Sequence, residues 1–103
     1  MDWRRFSRLR TGQSYRVQGL IFFLSANYDR LPEELRQTVR ACCDRAAGRS
    51  GNGEALLEYV TRGKSKVEIM RKYYIGSETS VDRMVRKYFE EMERELEAWR
   101  QQA

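Results

Sequence analysis

From Val81 to Trp99 the apolar residues of this chain fall on one stripe of a helix. Val81, Val85, Tyr88 or Phe89, Met92, Leu96 and Trp99 recur at three- and four-residue spacing, the period that gathers side chains on one helical face. Taken from Thr79 to Arg100 at ~1.5 Å per residue, that helix is ~30 Å long. A chain of 103 residues supports one modest core, so the remaining segments must cover this stripe. A single proline, Pro32, leaves too little turn punctuation for a sandwich or barrel. The expected fold is all-α: a small helical bundle with a C-terminal helix-turn-helix and a long last helix. It reads as a single domain over 1–103, with an N-terminal helical scaffold at 1–48 and a helix-turn-helix module at 54–100.

The upstream segments repeat the helical period. Trp3, Phe6 and Leu9 alternate with arginines in a short amphipathic stretch that Thr11-Gly12 ends. That stretch has two readings, a basic arm for a phosphate or membrane surface and a strand of chain folded back onto the core. Val17, Leu20 or Ile21, Leu24 and Tyr28 make the next apolar stripe, which Phe22 and Phe23 widen toward the core. A strand over Leu20–Leu24 finds no partner strand elsewhere. Pro32 suits a first helical position, and Glu33 and Glu34 suit the positive end of the helix dipole. Leu35, Val39, Cys42 or Cys43, and Ala46 are the buried side of that helix, and Gly48 its stop. Three glycines over Gly48–Gly53 mark a loop. Glu54–Arg62 is a short helix with Leu56, Leu57 and Val60 inward, ended by Gly63.

Charge is distributed unevenly around the net +5. Residues 1–30 and 64–89 each carry +4, residues 31–63 balance, and residues 90–103 carry −3. Two basic zones thus flank a neutral middle and precede an acidic end, which favours a polyanionic partner. The Glu90–Glu97 cluster reads as a solvated helix face with pairs such as Glu90–Arg94. Cys42 and Cys43 are adjacent, and neighbours bridge only with strain, so both read as reduced core thiols in a cytoplasmic protein. Arg4, Arg5, Arg8 and Arg10 precede the apolar run Gly19–Leu24, but about six residues are too few for a signal-peptide core or a membrane span. No leader and no membrane association are therefore expected.

Function is expected in the segment Ser65–Lys87. Ser65 and Glu68 match a capping box at the start of a short helix. Ile75-Gly76-Ser77 is a turn, and a longer helix starts near Thr79 with small polar residues. A helix-turn-helix has this layout, with the second helix offering its first residues to the DNA major groove and the first crossing the backbone. Lys64, Lys66, Arg71 and Lys72 lie where phosphates run. Thr79, Ser80, Arg83, Arg86 and Lys87 lie where base edges and phosphates are reached. Glu78 and Asp82 oppose phosphate unless they read cytosine amines or pair with arginines. Tyr73 and Tyr74 either pack in the core, as expected of at least one, or rest on the sugar–phosphate backbone.

Leu56-Leu-Glu-Tyr-Val-Thr-Arg-Gly63, Ser65-Lys-Val-Glu-Ile-Met-Arg-Lys72 and Ser80-Val-Asp-Arg83 together resemble region four of sigma factors. They are still more similar to phage late transcription activators of the RinA/ArpU type. Gly63, Ser65, Glu68, Ile69, Val81 and Arg83 match the pattern of those regulators. Met70 and Tyr74 depart from it, standing where it has a small residue and a glycine. The resemblance spans about residues 54–97 and implies duplex-DNA binding, transcription control and contact with RNA polymerase.

Other function classes fit less well. The chain has no histidine, the commonest general base and metal ligand. Two adjacent cysteines do not make a zinc site. No catalysis, cofactor, metal or small-molecule substrate is expected. The competing reading is a small helical adaptor or inhibitor that binds RNA polymerase or a host enzyme without DNA. In either case Met92, Leu96 and Trp99 pack on the N-terminal helices or on a twin subunit, the latter making a homodimer.

Overall fold

Short polar side chains and glycines divide the chain into helices where the sequence pattern changes phase. In the computed structural model, residues 12–102 are described, and the expectation for Trp3–Arg10 lies outside them. The described residues form α1 (Tyr15–Ala26), α2 (Glu33–Ala47), α3 (Gly53–Arg62), α4 (Lys66–Tyr73) and α5 (Glu78–Gln102). Single 3-10 turns at Tyr28–Arg30 and Gly48–Ser50 join the first three. No strand occurs among the described residues, so the fold is all-α as the periodicity predicts.

The caps follow from donor chemistry. The first N–H groups of a helix lack intrahelical acceptors, and a serine oxygen supplies one. Ser14 Oγ accepts from the Val17 N–H at 3.3 Å, and Ser65 Oγ from the Glu68 N–H at 3.1 Å. Ser77 Oγ accepts from the Ser80 N–H at 3.2 Å and so caps α5. Glu68 does not reach back to the backbone of Ser65 as a full capping box requires. Its Oε1 instead accepts from Ser65 Oγ at 3.3 Å. Pro32 sits one residue earlier than expected, at the cap of α2 rather than inside it. Gly63 ends α3 in the left-handed conformation, φ +70°.

Buried residues from all five helices make one cluster. The α5 stripe at its centre is Val81, Met84, Val85, Tyr88, Phe89 and Met92. It lies mainly along α2, which contributes Val39, Cys42, Cys43 and Ala47. Leu56, Leu57, Tyr59 and Val60 of α3 close the other side. Twenty-five residues of α5, at ~1.5 Å each, account for most of the 42 Å longest dimension. Leu96 packs against the core, so Met92 and Leu96 are used within the chain.

Two expectations about faces are corrected. Phe23 was expected to widen the buried face of α1, but it is 59% exposed and Leu20 is also exposed. Only Ile21, Leu24 and Ser25 of α1 are buried, because one narrow stripe meets α3 and α5. Glu91 was expected on a solvated face, yet it is 6% exposed. Arg45 of α2 reaches over it, Nε to Oε2 at 2.9 Å, while Arg94 Nη1 lies 3.3 Å from Oε1. Arg94 thus pairs with Glu91 instead of Glu90.

Candidate nucleic-acid interface

Helix α4 is only eight residues long, too short to hold its shape by itself. It is anchored by Ile69, which is buried, and by the half-buried Met70 and Tyr73. Ile75, in the turn after it, is buried too and fastens the turn to the core. The Ile75 N–H donates to the Met70 carbonyl at 2.9 Å. Beyond Ser77, α5 begins at Glu78, and its apolar stripe lies in the core. A short helix at Lys66–Tyr73 is thus followed, after residues 74–77, by a long one at Glu78–Gln102.

Polar residues of α5 fall on the opposite stripe. Thr79, Arg83 and Arg86 stand at i, i+4 and i+7, which is one face of a helix. All three are exposed. Among the described residues neither Arg83 nor Arg86 has an ion-pair partner, and Arg71 on α4 has none either. Arg71 borders a shallow hollow with Val67, Met70, Ile75 and Glu78. Ser80 is half-buried and bonds Ser77, with the two hydroxyl oxygens 2.9 Å apart.

The lysines behave differently. Lys66 Nζ lies 3.1 Å from Asp82 Oδ1, an ion pair that spans from α4 to α5. Lys72 Nζ lies 2.9 Å from Glu58 Oε1 on α3. Lys87 stays near its own helix, 3.6 Å from Glu90 and 3.8 Å from Glu91. Lys64 is exposed in the link between α3 and α4. Asp82 thus finds a cationic partner, but a lysine on α4 and not an arginine.

Glu58 is the acidic hub beneath α4. It accepts hydrogen bonds from the Tyr73 hydroxyl and from Lys72. The Tyr73 bond, then Lys72, hold its carboxyl below the usual carboxylate range. The same bond raises the Tyr73 phenol, and the Glu58 carboxylate raises Lys72. Tyr73 is therefore the tyrosine that packs inward. Tyr74 is the other case: it terminates α4 at φ +56°, ψ +41° and is 94% exposed.

Sequence reading placed the cations but missed what they touch. Neither the Lys72–Glu58 nor the Lys66–Asp82 pairing, across 14 and 16 residues, leaves a mark in local spacing. Tyr74, by contrast, is left-handed at φ +56°, at the position where the expected resemblance has glycine. Cys42 and Cys43 are free and buried. Burial pushes the Cys42 thiol up to about 11 and Cys43 well above its ordinary value. Among the described residues no group of three or more histidine, cysteine or acidic side chains could hold a metal ion. No helix described is long and apolar enough to cross a membrane. No protein-family model matches the chain, and no curated protein or solved structure matches it.

Proposed function

We propose that this chain is a DNA-binding transcriptional regulator of phage or mobile-element type, whose α5 enters the major groove from Thr79. The stripe Thr79, Arg83 and Arg86 carries the proposal. It is exposed, begins at a serine-capped helix end, and has two guanidiniums without partners among the described residues. Arginine presents a planar fork that suits guanine edges and phosphates. Arg71, with Lys64, Lys66 and Lys72, supplies phosphate contacts from α4 and its approach. RNA polymerase as a second partner follows from the resemblance alone. A homodimer on paired half-sites belongs to the proposal, with a seam that excludes the fully buried Met92. The reading assigns no catalysis, cofactor or metal.

A second reading has its own observation. Tyr15, Leu20 and Phe23 are large apolar side chains exposed on α1, a kind of surface that protein partners cover. An adaptor or inhibitor would use that face and ignore DNA.

A gel-shift titration against mixed duplex DNA at two salt concentrations separates the two. The regulator retains duplex at low salt and loses it steeply as salt rises. Arg83→Ala with Arg86→Ala should abolish retention while leaving the melting temperature unchanged. Parental binding by that double variant would mean that α5 is not the reading helix. No retention at low salt would favour the adaptor.

A further inference from the structure

Tyr74 combines two costs that the isolated chain does not recover. Its backbone is left-handed, φ +56° and ψ +41°, and it is the one described residue other than glycine with positive φ. For a bulky L-residue this region is strained, which is why helices usually end there in glycine or asparagine. Its ring is 94% exposed, so no burial offsets the strain. Strained residues of this kind concentrate where a ligand is clamped.

Position and chemistry say which ligand. Tyr74 follows Arg71 by three residues and precedes the Ser77 cap of α5 by three. It therefore stands, with its ring exposed, in the link between the two helices whose cations are assigned to DNA. A phenol there can donate to a phosphate oxygen and lay its ring on the adjoining sugar. We propose that Tyr74 is an uncharged contact to the DNA backbone, presented by a left-handed turn that glycine would hold with less strain. This rests on the reading of α4 and α5 as a duplex-binding surface.

Stability and binding should then move in opposite directions. Tyr74→Gly in the full chain should raise the melting temperature by about 4 °C or more. It should weaken binding to a mixed-sequence duplex about tenfold. Because a neutral side chain releases no counterions, the slope of log Kd against log salt should match the parent's. Arg71→Ala, by contrast, should reduce that slope by about one. Tyr74→Phe, which keeps the ring and loses the donor, should fall between parent and Tyr74→Gly. Parental affinity in Tyr74→Gly overturns the proposal and leaves the interface standing. An altered slope, or an unchanged melting temperature, overturns it as well. A parent that binds no duplex at any salt removes the interface and Tyr74 together.

Discussion

The Tyr88 hydroxyl and Ser25 Oγ share a buried hydrogen bond of 2.6 Å that joins α5 to α1. Ser25 Oγ also donates to the Ile21 carbonyl at 2.8 Å. With its one proton committed there, the serine must accept from the tyrosine. Ser25→Ala therefore strands a fully buried phenol and should cost about 1–3 kcal/mol. Tyr88→Phe leaves Ser25 its Ile21 partner and should cost about 0.5–1.5 kcal/mol. The double variant should be more stable than Ser25→Ala alone. Urea titrations of the three variants check the ordering, and a double variant weaker than Ser25→Ala would mean that loss of Ser25 does not leave a costly unpaired phenol.

Cys42 and Cys43 should be chemically silent in the folded protein. Both are fully buried, and burial keeps each in the thiol form, which is the unreactive one. A disulfide-exchange reagent at about pH 8 should titrate neither thiol in the native state and both in guanidinium. Rapid native reaction of either thiol would show that α2 opens from α5 easily.

Glu58 should shape the acid limb of stability. Its carboxyl is lowered by Tyr73 first and Lys72 second. A carboxyl lowered on folding adds stability above its unfolded value and loses it as pH falls through the folded one. Glu58→Gln should thus flatten the decline of melting temperature below about pH 4.5. Tyr73 has the opposite sign, because its phenol is raised. Its contribution holds below the ordinary tyrosine value and is lost as pH climbs through the folded one. An acid limb unchanged in Glu58→Gln would mean that the hub contributes nothing to stability.

Gly53 and Gly19 should respond oppositely to alanine. A Cβ on Gly53 would lie 3.2 Å from the Asp44 Cα and 2.1 Å from its Oδ1. The carboxylate can rotate away, but the backbone cannot, so Gly53→Ala should destabilise by about 1 kcal/mol or more. A Cβ on Gly19, inside α1, meets nothing within 4 Å. Gly19→Ala should stabilise by roughly 0.5–1 kcal/mol through helix propensity. Thermal melts of both decide it, and equal shifts would deny the close approach of α2 and α3.

Legibility in the sequence followed the range of the interaction. Ser65 and Gly63 act on their own neighbourhoods, and local spacing sufficed to place them. The α5 stripe was legible because helical period alone determines it. The exposure of Phe23 was not, because it depends on how narrow a strip α3 and α5 cover. Glu91 looked like its acidic neighbours, and the partner that reaches it from another helix, Arg45, lies 46 residues away. At the candidate interface the same divide holds. Arg83 and Arg86 were visible by charge and position, whereas the carboxylates that engage Lys66 and Lys72 come from elsewhere in the fold.

Those two carboxylates have a consequence for the proposed regulator. Asp82 and Glu58 occupy the places on Lys66 and Lys72 that a phosphate oxygen would take. Duplex binding at α4 is then an exchange of one anion for another, and each lysine yields less than an unpaired one. In the proposed regulator these acids, set on α5 and α3, would act as resident competitors and hold nonspecific affinity below what the lysine count suggests. Loosening either acid, with Asp82→Asn or Glu58→Gln, should make the surface stickier toward any duplex and less choosy among them.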